Sequence, residues 1–466
     1  MIDHAFLWPD TAEVLANGHL AIGGCDTAAL AREFGTPLYV LDAATFDAAA
    51  RGYLAALARH YPGRSAAHYA GKALLNTAVA QLAARAGLGL DVVSGGELFV
   101  ALRAGVPAEH IHLHGNAKLR AELQQALEAG VGAIVADSLD ELATLARLSA
   151  GRAAPQPIML RVTPDIAADT HAHIQTGHAA SKFGFALDAL DAAAACVAAA
   201  PGLRLRGLHA HIGSQIFSYA AIERAVGVLL DCAARLRDQH GIVVDTISPG
   251  GGLGVPYTAD QPQPDYAAYV AAISRALAEG CAARGLPLPA LVLEPGRSIV
   301  ARAAVALYEV VATKPLSSAD EQPRTKDEPL AEASADPSSL VVRPSAVTRY
   351  LHIDGGMADN IRPALYGARY TALLANRAAA APAEVVHVAG RFCESSDVLL
   401  RDVPLPAAQL GDLLAVAVAG AYTLSMASNY NLVPRPALVL VQNGQARLVQ
   451  RRETYADLAA RDVPLG

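Results

Sequence analysis

The chain has 466 residues, of which 53% are hydrophobic and 17% charged, and its net charge is −7. An acidic balance with no basic stripe argues against a nucleic-acid partner. The mean hydropathy is positive, but alanine supplies most of it, and no uncharged stretch approaches the roughly 18 strongly apolar residues that a membrane span needs.

The opening residues Asp3, His4 and Asp10 stand where a secretory signal would carry its basic and apolar regions. Five scattered cysteines (Cys25, Cys196, Cys232, Cys281 and Cys393) show no C-x-x-C spacing. They fit a reducing cytoplasm and neither a disulfide framework nor a zinc site.

From about residue 66 to 295, short apolar runs alternate with amphipathic stretches. The expected strands are Ala66–Gly71, Leu88–Val93, His110–His114, Gly132–Ala136, Pro157–Val162, Leu205–His211, Val243–Ser248 and Ala290–Glu294. Helices are expected over Thr77–Ala86, Gly96–Ala104, Leu119–Ala129, Leu139–Leu148 and Ala220–His240. Eight such units in series predict a closed (β/α)8 barrel of the TIM type, over residues 36–300, in preference to an open doubly wound sheet. The units are not self-similar, which argues against a helical repeat.

Beyond the barrel, short β-rich runs predict a second, all-β domain over 301–466, completed by residues 1–35. The runs are Val305–Val311, Leu351–Ile353, Ala383–Val388, Leu413–Val418 and Ala437–Gln442. Between the first two lies Ser317–Ser345, rich in Ser, Pro, Asp, Glu and Lys. It cannot bury a core and reads as a flexible surface insertion, residues 317–345.

Catalytic groups of a parallel barrel sit at the C-terminal ends of its strands. The first strand ends in Tyr69-Ala70-Gly71-Lys72, and a lysine closing a buried apolar run needs a partner or a covalent task. The sixth runs into His209-Ala210-His211-Ile212-Gly213-Ser214, the seventh into Gly250-Gly251-Gly252, and the eighth into Glu294-Pro295-Gly296-Arg297. A phosphate-bearing cofactor, pyridoxal 5'-phosphate (PLP), explains the set. Lys72 would hold it as a Schiff base, His211 would lie on its ring, and Glu294 would keep the pyridine nitrogen protonated. Consecutive N–H groups of Gly250–Gly252, with the Ser214 hydroxyl, would meet the phosphate.

Each group also has a plainer reading: a glycine turn, a satisfied core histidine, a Glu294–Arg297 structural ion pair. A metal at His209 and His211 lacks a third ligand at a recognisable spacing. His112 and His114 read as strand-end residues without a role. The coincidence of four strand ends favours the cofactor.

These blocks resemble those of the fold-III ornithine/diaminopimelate/arginine decarboxylase family. Further blocks carry the resemblance from about residue 35 to 455. In the barrel they are Asp91-Val92-Val93-Ser94-Gly95-Gly96-Glu97, His114-Gly115-Asn116 and Ser181-Lys182-Phe183-Gly184. Later in the chain come Arg362-Pro363-Ala364-Leu365-Tyr366-Gly367, Cys393-Glu394-Ser395 and Gly420-Ala421-Tyr422.

The resemblance implies cofactor contacts from Lys72, His211, Ser214, Gly250, Gly251, Gly252, Glu294, Gly296, Arg297 and Tyr422. It implies substrate contacts from Arg297, Arg362, Tyr366, Glu394 and Tyr422, with Cys393 as proton donor. It also implies a homodimer with its active sites at the interface. Three positions depart from the family pattern: Gly71, where a larger apolar residue usually stands, and Ser396 and Thr423, each in place of glycine.

Two arginines and an acid suit a substrate that carries a whole amino-acid head at its far end. The expected reaction is decarboxylation of meso-2,6-diaminopimelate to L-lysine and CO2, the last step of lysine biosynthesis. A related decarboxylase acting on another amino acid is the alternative.

Overall fold

The structure is a computed structural model, and it describes residues 2–166, 182–316 and 347–465. The segment expected to be a flexible insertion, and Ser181, lie outside the described residues. The chain forms two compact units: residues 42–304 with 419–425, and residues 1–41, 305–418 and 426–466.

The first unit is a closed parallel barrel. Its strands are β1 (Ser65–Ala70), β2 (Gly89–Val92), β3 (Ile111–Leu113), β4 (Ala133–Ala136), β5 (Gln156–Arg161), β6 (Leu203–His209), β7 (Thr246–Gly250) and β8 (Ala290–Leu293). β8 closes on β1 through Leu291, Val292 and Leu293 beside Ser65, Ala66 and Ala67. The TIM-type barrel expected from the alternating runs is therefore present. Strands buried on both faces need near-continuous apolar sequence, and all four residues of β4 are buried. Ala133, Val135 and Met159 form a cluster of the interior.

Several helices start on a side-chain cap just past a strand. Asn76 accepts from the Val79 amide (3.0 Å), Ser94 from Glu97 (3.2 Å) and Ser138 from Glu141 (3.3 Å). Each cap satisfies an N–H that the helix leaves unpaired. The chain thus turns sharply at the strand ends, where the candidate residues lie. The helices Ala43–His60 and Tyr266–Ala283 are further elements of the barrel unit. They are so rich in alanine that their periodicity is faint in the sequence.

The second unit is built on a mixed sheet. Its path runs Val398–Leu405, Glu384–Ala389, Arg349–Ile353, Ala304–Pro315, Leu38–Asp42, Ala437–Gln442, Gln445–Gln450. Leu413–Val416 also pairs with Ala304–Pro315 and with Ala372–Leu374. The N-terminal residues are not purely β, since Thr27–Phe34 is a helix capped by Asp26. Among the described residues no helix is long and apolar enough to cross a membrane.

β6 carries an irregularity between Leu205 and Gly207. A Cβ at Gly207 would lie 2.2 Å from the Thr246 carbonyl oxygen of the neighbouring strand. Gly207→Ala should therefore force β6 and β7 apart and cost about 1–3 kcal/mol or more. Urea denaturation should show a lower midpoint at unchanged slope, and an unchanged midpoint would contradict the close approach.

Candidate active site

The barrel unit brings Glu294 into a hydrogen-bonded setting at the end of β8. The Ser248 hydroxyl donates to its Oε1 at 2.6 Å, and His209 Nε2 donates to its Oε2 at 3.0 Å. His114 Nε2 stands 3.9 Å from Oε1 and 3.2 Å from Asp91 Oδ1. His68 Nδ1 is also 3.2 Å from Asp91 Oδ1. Burial alone would raise the Glu294 carboxyl, but His209 and His114 outweigh it and hold the group down at about 2. Asp91 is likewise held below the usual carboxylate range, against burial, by His114 and His68.

The histidines divide their roles. Burial pushes His114 down, yet Asp91 and Glu294 reverse this and raise it. Burial keeps His209 low, and His112 and His211 well below the ordinary value, with Lys72 adding to the effect at His211. His211 is thus a neutral imidazole, suited to lie against a cationic ring.

His112 and His114, read from sequence as strand-end residues without a role, face the barrel interior instead. The His68 and His112 rings are 4.1 Å apart, and those of His114 and His209 5.0 Å. The period-two spacing of His112 and His114 signals one shared strand face. Asp91, the partner of His114, is on another strand, which local sequence does not reveal.

The metal reading paired His209 with His211, but the donor clusters among the described residues leave His211 out. Donor atoms of His114, His209 and Glu294 lie within 4.8 Å of one another, as do those of His68, Asp91 and His112. The hydrogen bonds and ion pairs above account for the first set and for His68 with Asp91.

Lys72 follows β1 in the short turn Gly71–Ala73, and its side chain is exposed. A Cβ at Gly71 would lie 3.0 Å from Leu75 and 3.1 Å from the Asp91 carbonyl oxygen. The small residue lets this turn pack closely onto β2. Glu97, not singled out from its chemistry, accepts from the Val93 amide at 2.8 Å. Burial raises its carboxyl, and Lys72 opposes that shift.

The glycine run is a tight backbone cradle. Gly250 has φ +82° and Gly252 φ +106°. A Cβ at Gly251 would lie 2.1 Å from the Glu294 carbonyl oxygen, and one at Gly252 2.5 Å from that of Gly213. The Gly250 amide donates to the Ser248 hydroxyl at 3.2 Å, and with side chains sterically excluded the Gly251 and Gly252 amides are left to meet an anion.

Buried Arg297 donates from Nε and Nη2 to the Ser214 hydroxyl (3.2 Å each) and from Nη1 to the Tyr257 hydroxyl (2.6 Å). Its guanidinium also stands 4.7 Å from the centre of the Tyr422 ring. Glycines, hydroxyls and a guanidinium fit a phosphate, and the ionised Glu294 fits a protonated pyridine nitrogen. Tyr257 escaped the sequence reading because a lone tyrosine in a loop carries no signal. Thr423 is buried, and its hydroxyl donates to the Ala419 carbonyl, so the departure there is satisfied locally.

In the second unit, Arg362 is buried at the start of the helix Arg362–Tyr366 and donates to the Tyr370 hydroxyl at 2.6 Å. Tyr366 is half-buried. Cys393 is an exposed free thiol, and its amide donates to Asn431 Oδ1 at 3.2 Å. Exposed Glu394 accepts from the Tyr430 hydroxyl at 2.5 Å. Ser396 is exposed as well, with its hydroxyl 4.0 Å from the Met357 sulfur.

Residues 48–301 match the family model described as pyridoxal-dependent decarboxylase, pyridoxal binding domain. Diaminopimelate decarboxylase of Bacillus subtilis is 42% identical over 450 residues, 96% of each chain. That of Mycobacterium tuberculosis is 39% identical over 464 residues, 98% of each. The crystal structure of diaminopimelate decarboxylase from M. jannaschii in complex with L-lysine superposes with a TM-score of 0.85. Its identity is 33%, with 98% of both chains covered.

Because Glu294 is depressed from 4.5 to about 2 in the fold, its contribution to stability is complete above about pH 4.5. That contribution is lost as the pH falls through about 2. Glu294→Gln should remove that part of the acid slope while weakening the protein at neutral pH. Denaturant midpoints measured from pH 2 to 6 check this, and parallel profiles for both proteins would contradict it.

Proposed function

The chain belongs to the pyridoxal-dependent decarboxylases, in the diaminopimelate decarboxylase family, and from that premise we propose that it converts meso-2,6-diaminopimelate to L-lysine and CO2. The observation that carries this reading is the ionised Glu294, held by His209, Ser248 and His114 beside a glycine cradle. Bound pyridoxal phosphate supplies an electron sink for the pair left behind when CO2 departs.

The barrel unit is given to the cofactor. The Lys72 amine holds it, Gly250–Gly252 with Gly296, Ser214, Arg297 and Tyr422 surround its phosphate, and His211 supports its ring face. Arg297 was expected at the substrate as well. Its guanidinium is engaged by Ser214 and Tyr257, and we assign it to the phosphate.

The second unit is given to the substrate. Arg362 pairs with the distal carboxylate, and Tyr366 and Glu394 meet the groups beside it, Glu394 taking the distal ammonium. Cys393 delivers a proton to Cα after CO2 leaves. Its exposed thiol can approach a reacting carbon, whereas the thiols of Cys25, Cys232 and Cys281 are buried. Free cysteines fit a reducing cytoplasm, where we locate the reaction.

A substrate with only a cationic far end leaves Arg362 without its carboxylate. That costs about 2–5 kcal/mol, or roughly 30- to 4,000-fold in kcat/KM. CO2 release from purified protein should accordingly be far faster with meso-diaminopimelate than with lysine or ornithine. Equal rates would favour a decarboxylase of another amino acid.

We also propose a homodimer in which the Cys393–Glu394 loop of one chain completes the Lys72 site of the other. Lys72→Ala and Cys393→Ala proteins should each be nearly inactive. After joint unfolding and reassembly, about half the dimers are mixed, and each mixed dimer has one site with both residues intact. Activity should recover to about a quarter of wild type. No recovery, with mixed dimers confirmed by mass, would mean that each site is built within one chain.

A further inference from the structure

Asp397 closes the second unit's loop 391–397 and is 4% exposed. Its Oδ2 accepts from the Phe392 amide at 2.8 Å, and its Oδ1 accepts from the Met357 amide at 2.7 Å. One carboxylate therefore joins two loops far apart in sequence. The first carries Cys393 and Glu394. The second, 354–361, runs directly into the helix that begins at Arg362.

Both loops are shaped around this carboxylate. A Cβ at Gly390 would lie 2.3 Å from Oδ2, and one at Gly356 would lie 2.5 Å from Oδ1. Two missing side chains thus make the space that the carboxylate fills. The Arg391 amide also donates to the Gly355 carbonyl at 3.1 Å, a direct backbone link between the loops.

Each loop then transmits the constraint to its functional end. The Asp397 amide donates to the Glu394 carbonyl (3.1 Å), and the Glu394 amide to the Phe392 carbonyl (2.8 Å). On the other side, the Asp359 and Asn360 amides donate to the Gly356 carbonyl (3.1 and 3.0 Å). Asn360 Oδ1 accepts from the Arg362 amide at 3.3 Å. No long, flexible connection intervenes on either side.

We propose that Asp397 is a positioning residue whose single buried carboxylate sets the Cys393–Glu394 loop and the Arg362 arm in register, so that proton delivery at the partner's site and recognition of the distal head at the chain's own site depend on one anchor. This deepens the reading of Cys393 and Arg362 given above and rests on it. An ionised aspartate accepts at both oxygens, whereas an asparagine accepts at one and presents an NH2 to the other N–H donor. Catalytic geometry tolerates little such displacement.

The test is Asp397→Asn in the full-length, PLP-loaded enzyme, with turnover in D2O. Its bound-cofactor absorbance should match wild type, because the barrel-unit residues are untouched. We expect kcat to fall about 10- to 1,000-fold and KM for meso-diaminopimelate to rise. Deuterium should enter Cα from both faces, where the wild type uses one. A purely structural role would lower the melting temperature without altering the face of deuteration.

Wild-type kcat, KM and single-face deuteration in this variant would overturn the proposal. Should the asparagine protein not fold, Asp397→Glu keeps both acceptors and displaces them by one methylene. It should show smaller shifts in the same readouts, and wild-type values there would overturn the proposal equally. Cys393→Ala, run alongside, separates the two ideas. If it keeps full activity and single-face deuteration, the proton-donor reading fails, and the KM of Asp397→Asn still tests the coupling to Arg362.

Discussion

A carboxylate that must stay ionised inside a protein is the constraint around which the barrel unit is arranged. An unpaired charge in such a setting is costly, and the usual outcome is protonation. Glu294 escapes this because β6, β7 and the end of β3 each contribute a polar group aimed at it: His209, Ser248 and His114. His114 is shared with a second buried carboxylate, Asp91, which His68 also supports. Histidine density at the strand ends therefore follows from holding two negative charges within one closed barrel.

Much of this was legible in the sequence because the barrel repeats a local grammar. Apolar runs ending in polar or glycine punctuation located all eight strands to within a few residues, and strand ends pointed to Lys72, His211, Gly250–Gly252 and Glu294. What escaped was non-local. His68 and Asp91 are 23 residues apart and meet only because β1 and β2 are neighbours. The contacts of Arg297 with Ser214 and Tyr257, 83 and 40 residues away, are non-local in the same way. Asp397 was hidden more deeply, since its partners are backbone amides and its cavity is defined by side chains that Gly356 and Gly390 lack.

Both units use the same packing device at places proposed to bear function. In the barrel, Gly251 allows the chain after β7 to approach the Glu294 carbonyl. In the second unit, Gly390 and Gly356 allow a carboxylate to sit against two loops at once. Each glycine lets polar groups approach more closely than a Cβ would permit. Substitution there displaces a hydrogen-bonding group as well as crowding an apolar one.

The order of segments in the second unit has a consequence for the growing polypeptide. Leu38–Asp42 lies between Ala304–Pro315 and Ala437–Gln442 in the sheet. At about 5–20 residues per second, its later neighbour emerges roughly 20–80 s after it does. For that interval it exposes unpaired backbone edges, the condition that invites pairing with other chains. The segment 419–425, which brings Tyr422 to the barrel unit, is also made late. A ribosome-bound chain thus carries an open sheet edge and lacks the last segment of its barrel unit until synthesis is nearly finished.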